Sequence, residues 1–165
     1  MNPGLNRRGL TAAGYRAWLR SVGVRYVLLP RDTPAAGSVT QARLLKSGTS
    51  GLVRVFAGSD GSVYELPDAT PILTGPGRSA VTSLSFSGVA GWASSAGSYL
   101  LRVHYTPLWR VRGDLCPTRA SAGMTRREVR RPGRFELRAA ETAGTVLELV
   151  VDGDPRRASG CGDGD

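Results

Sequence analysis

Hydrolytic chemistry needs at least a nucleophile beside a base, or two carboxylates held a few ångströms apart. This sequence has little material for either. Its only histidine, His104, falls in mid-strand with Arg102 two positions before it on the same face. The carboxylates that could pair are Asp60, Glu65, Asp68 and Asp114, but Asp60 belongs to an Asp-Gly turn and Asp68 to a Pro-Asp turn. Gly75-Pro-Gly77 lacks the Lys-Ser/Thr of a phosphate loop and follows a turn instead of opening a helix. Asp152, Asp154, Asp163 and Asp165 lack the ligand ladder and terminal glutamate of a calcium loop. Cys116 and Cys161 are 45 positions apart, which excludes the close CxxC spacing of zinc and redox sites. No catalytic residue, cofactor or metal is expected. The cysteines either remain free or form a disulfide that ties the tail back to the domain, a closure worth roughly 3 to 4 kcal/mol on the chain-entropy model. In the second case the compartment is oxidising.

The constellation with binding potential is aromatic. Trp92, Tyr99, Tyr105 and Trp109 carry flat amphipathic rings suited to stacking on a sugar, and Arg102 and Arg110, with Arg112, could hold an anionic group beside them. Core packing is the competing reading for the rings. The net charge of +9 raises the question of nucleic acid, yet Lys46 is the only lysine among 22 basic residues, and the arginines are scattered. The densest run, Arg126, Arg127, Arg130, Arg131 and Arg134, lacks the interleaved aromatics of a single-strand platform. It reads as a solvated face, with anionic lipid headgroups as the alternative partner. No nucleic acid partner is expected.

The elements that must position these residues follow from periodicity. At 165 residues, with 10 prolines and 22 glycines, the chain suits a turn-rich globular protein with many short strands. Tyr15, Trp18, Leu19 and Val22 recur at helical spacing after Thr11, a candidate cap, and Gly23 ends the run. Val24 to Leu29 is a strand closed by Pro30, and Ser38 is placed to cap a second helix through Leu45. Leu52 to Phe56 and Ser62 to Leu66 flank Asp60-Gly61, a hairpin signal. Beyond Pro67 the period is two: Tyr99, Leu101 and Val103 alternate with Leu100, Arg102 and His104, and Phe135, Leu137 and Ala139 with Glu136 and Arg138. Leu147, Leu149 and Val151 predict a further strand. Val81, Leu84, Phe86, Val89 and Trp92 mark sheet structure between 80 and 93, and Ala96 to Arg102 echoes Pro132 to Arg138.

The predicted fold is α+β: a disordered start at 1–9, a small α/β unit (α-β-α-β-β) at 10–66, a turn-rich linker at 67–79, an antiparallel, jelly-roll-like β-sandwich at 80–151 and a flexible tail at 152–165. No run of 18 apolar residues is present to span a bilayer. The opening Met1-Asn-Pro-Gly-Leu-Asn-Arg-Arg8 lacks the apolar core of a secretory leader, so the chain alone is expected in the cytoplasm. As part of a longer protein with helices upstream it would be displayed outside the membrane.

Three stretches carry a family resemblance: Leu10-Thr-Ala-Ala-Gly-Tyr-Arg-Ala-Trp-Leu-Arg-Ser-Val-Gly-Val-Arg-Tyr-Val-Leu-Leu-Pro30, Val63-Tyr-Glu-Leu-Pro-Asp-Ala-Thr-Pro71 and Tyr105-Thr-Pro-Leu-Trp109. In their order and spacing they resemble the C-terminal extracytoplasmic region of actinobacterial multi-pass membrane proteins related to the GT-C glycosyltransferases. The resemblance implies a parent that moves sugars from polyprenyl-phosphate donors, with its catalytic carboxylates in loops between transmembrane helices. Those helices and loops are not in this chain, so no catalytic residue carries over. The expectation is therefore a non-catalytic accessory domain that contacts its transmembrane parent and a glycan or lipid-linked sugar. Its rivals are a purely structural module without ligand and a small basic nucleic-acid-binding protein.

Overall fold

A computed structural model describes residues 9–112 and 115–139, and they divide into two compact units between Pro71 and Ile72. The structure is α+β and mostly sheet, with two α-helices and eleven strands in three antiparallel sheets among the described residues. Leu147 to Val151, the tail from Asp152 and Cys161 lie outside the described residues.

The first unit follows the order α-β-α-β-β. Helix α1, Ala12–Ser21, is capped by Thr11, whose Oγ1 accepts from the Gly14 N–H at 3.1 Å, and its apolar stripe buries Tyr15 and Leu19. Strand β1, Tyr26–Pro30, follows, then helix α2, Val39–Lys46, and strands β2, Val53–Ala57, and β3, Gly61–Glu65. Ser38 does not cap α2. A 3-10 turn at Ala36–Ser38 leads into the helix, and the Ser38 hydroxyl donates instead to the Ala35 carbonyl at 2.9 Å. The β2–β3 hairpin turns at Asp60-Gly61, and β3 is central in the order β1-β3-β2. Tyr15, Leu19, Leu45, Leu52, Tyr64 and Leu66 form its core.

The second unit is a sandwich of two four-stranded sheets. One has the order β4-β7-β10-β9, built from Leu73–Thr74, Gly97–His104, Met124–Val129 and Leu115–Arg119. The other has the order β5-β6-β11-β8, from Ser79–Leu84, Gly88–Ala93, Gly133–Ala139 and Trp109–Arg112. The chain changes sheet at every connection except β5–β6 and β9–β10, as sandwich topologies do when strands cross between layers. Residues 80 to 93 are thus a hairpin, reversed at Ser85-Phe86-Ser87, where the Ser85 N–H donates to the Gly88 carbonyl at 2.9 Å. Phe86 sits at its exposed tip. Leu73, Tyr99, Leu101 and Val129 from the first sheet meet Val89, Trp109, Phe135 and Leu137 from the second in one core.

Gly91 is where this packing is tightest. A Cβ there would stand 2.3 Å from the Ala80 carbonyl oxygen and 2.6 Å from Cζ of Phe135, so backbone and ring would both have to move. Gly91→Ala is expected to cost about 1 to 2 kcal/mol through overpacking, read as a lowered urea midpoint. An unchanged midpoint would mean that the β5–β6 pair shifts freely.

Candidate functional site

The outer face of the β5-β6-β11-β8 sheet carries the sandwich's candidate site. Strand β6 turns Val89, Gly91 and Ala93 inward, which leaves Ala90 and Trp92 outward. Trp92 lies opposite Ala80 on β5 and Arg134 on β11, while Ala90 lies opposite Glu136, itself opposite Arg112 on β8. Because its cross-strand neighbour Ala80 and its same-strand neighbour Ala90 are both small, the Trp92 ring stays uncovered, 36% exposed. The result is a cleft of about 720 Å³ whose lining includes Thr82, Trp92, Arg112, Arg134 and Glu136. Glu136 is ion-paired with Arg138 on its own strand.

Chemically the cleft offers one aromatic face, two guanidinium donors, one carboxylate acceptor and one hydroxyl. A ring face stacks against the C–H face of a pyranose, and flanking polar groups take its hydroxyls.

Of the aromatic and arginine candidates, Trp92 and Arg112 line this cleft. Tyr99, 1% exposed, and Trp109, 5% exposed, are core residues, and the Tyr99 hydroxyl donates to the Ser95 carbonyl at 3.0 Å. Tyr105 is half-buried against the same core, and burial pushes its hydroxyl pKa up. Arg102, on β7 in the other sheet, donates to Thr74 Oγ1 at 3.0 Å. Arg110 points outward from β8, half-buried. Thr82, Arg134 and Glu136 were not among these candidates; they join Trp92 only through the pairing of β6 with β5 and β11.

Three of the carboxylates considered for catalysis make contacts within the first unit. Asp60 accepts from the Ser59 hydroxyl at 2.9 Å, Glu65 pairs with Arg25 at 2.8 Å, and Asp68 pairs with Arg20. Asp114 lies outside the described residues, and His104 is exposed at the end of β7. Among the described residues no three of His, Cys, Asp and Glu come together as metal ligands. Cys116 is disulfide-bonded.

The arginine run does not make one solvated face. Arg126, Arg130 and Arg131 are exposed and Arg134 belongs to the other sheet, but Arg127 is fully buried. The strand's alternation forces this, since Thr125 and Val129 face inward at the same period.

No protein-family model matches the chain. No curated protein or solved structure matches it significantly either.

The first unit has its own concavity, a groove of about 620 Å³ between α1, α2 and β1, lined by Tyr15, Trp18, Leu29, Ala42 and Leu45 among others. It is predominantly apolar, with Asp32 as its only carboxylate among the described residues, so it suits an apolar segment better than a polyhydroxyl ligand. The strands of this unit also expose Tyr26, Leu28, Val53 and Phe56, with Leu28 at 65% and Phe56 at 61%. Among the described residues no helix is long and apolar enough to cross a membrane.

Proposed function

We propose that this chain is a non-catalytic extracytoplasmic accessory domain of a membrane glycosyltransferase-like protein, and that it contacts a glycan through the Trp92 cleft. The observation that carries the glycan contact is the exposed Trp92 ring on a sheet face that also presents Arg134, Glu136 and Arg112. Two further features support the setting. The disulfide at Cys116 suits an oxidising compartment. The exposed apolar side chains Leu28, Val53 and Phe56 suit burial against a partner, such as the membrane-embedded remainder of a larger protein. The parent's class rests on the sequence resemblance of residues 10–30, 63–71 and 105–109.

The ligand expected is an oligosaccharide presenting one flat C–H face, with a uronic acid favoured over a neutral sugar because Arg134, opposite Trp92, and Arg112, opposite Glu136, line the same cleft. Isothermal titration of the chain against a panel of neutral and uronic-acid oligosaccharides tests this. Trp92→Ala should weaken binding at least about tenfold, the loss typical of a removed aromatic anchor, with the fold unchanged by circular dichroism. A panel that fails to bind, or a Trp92→Ala variant that binds as tightly as the parent, would refute the glycan contact.

A further inference from the structure

Arg127 occupies an inward position of β10 and has no exposed surface. Its guanidinium carbon lies 3.3 Å from the centroid of the Phe135 ring, so an aromatic face covers one side of the cation. Nε, Nη1 and Nη2 have no hydrogen-bond partner among the described residues. A guanidinium carries five N–H donors, and burying it with its charge and donors unmatched is costly.

Beside it lies a cavity of about 10 Å³ at the end of the sandwich where β10 turns into β11. Arg127, Arg131 and Arg134 line it together with the apolar side chains Ala93, Val129 and Phe135, and among the described residues no carboxylate does. That volume is about what one water-sized particle needs, so a phosphate, sulfate or carboxylate is too large. A water molecule would supply lone pairs without charge. A monatomic anion supplies both to the buried Arg127 guanidinium.

We propose that this cavity is a binding site for a small monovalent anion of the size of chloride, with Arg127 as its buried donor. The ion completes the hydrogen bonding of Arg127 and neutralises its charge inside the sandwich. It binds the folded state alone, because the cavity exists only when β10, β11 and β6 are assembled.

The test is thermal unfolding of the full chain in sodium chloride, sodium bromide and sodium gluconate at equal ionic strength, gluconate being too large to enter. Chloride and bromide are expected to raise the midpoint by several degrees with saturation, gluconate is not, and Arg127→Met is expected to lose the difference. Bromide-soaked crystals are expected to show an anomalous peak within hydrogen-bond distance of the guanidinium. Identical curves in halide and gluconate, or an Arg127→Met variant that responds like the parent, would overturn the site. A bromide peak without stabilisation in solution would mean an adventitious ion only and would overturn it equally. Should Arg127→Met fail to fold, the halide and gluconate contrast and the bromide map on the parent chain decide the matter alone. None of these readouts involves Trp92 or a glycan, so this site and the proposed function stand or fall separately.

Discussion

Arg127→Met is expected to stabilise the protein in halide-free buffer by about 2 kcal/mol, because it replaces a buried, unmatched charge with an apolar side chain of similar length. Burial lowers the Arg127 pKa to about 10, so at neutral pH the side chain is charged and the folded state bears the desolvation cost. The contact with Phe135 returns part of that cost, and methionine sulfur keeps a contact of the same kind. The sign of the pH dependence follows from the depressed folded-state value. The unfolded chain holds this proton more tightly than the folded one, so the penalty is complete below about pH 10 and is released as pH rises above it. Urea denaturation of parent and variant at pH 8 and pH 11 should therefore show the variant's advantage shrinking by about 1 kcal/mol at the higher pH. A variant less stable than the parent in halide-free buffer would mean that the charge is matched within the protein itself.

The largest loss is expected at Cys116, which is disulfide-bonded. If its partner is Cys161, the only other cysteine in the sequence, the bridge closes a loop of 45 residues. On the chain-entropy model that closure stabilises by about 4 kcal/mol. Cys116→Ser should lower stability by about this amount, and added reductant should then have no further effect on it. Mass spectrometry of a non-reduced digest identifies the linked peptides. Full stability of the parent under strong reductant would contradict the structural role of the bond.

Local features were legible in the sequence where a few neighbouring residues decide the outcome. Thr11 and the spacing of Tyr15 and Leu19 specify α1, and Asp60-Gly61 specifies the β2–β3 hairpin. The echo between Gly97-Ser-Tyr99 and Gly133-Arg-Phe135 is one device used twice. Each glycine, at φ 128° and 156°, opens a strand, and the aromatic two residues later points into the core. Ser38 misled because side-chain type alone cannot tell a helix cap from the end of a 3-10 turn.

The candidate site was only partly legible, for a different reason. Trp92 and Arg134 are 42 positions apart and meet because β6 pairs with β11, a register that no local period encodes. Tyr99 and Trp109 carry the same ring types as candidates for stacking, yet alternation turns both inward. Arg127 had a signal, since Thr125, Arg127 and Val129 share one face of β10, but arginine's usual place at the surface outweighed it.

The sequence holds three tryptophans, Trp18, Trp92 and Trp109, and each gives one indole N–H signal in a nitrogen-15 spectrum. The measurement that goes straight to the Trp92 cleft is a titration of the labelled chain with a uronic-acid oligosaccharide, the Trp92 signal being assigned by its absence in Trp92→Phe. Saturable movement of the Trp92 signal, with those of Trp18 and buried Trp109 unmoved, is the predicted result. A Trp92 signal that stays in place while the sugar binds, or across the whole oligosaccharide panel, would contradict the glycan contact.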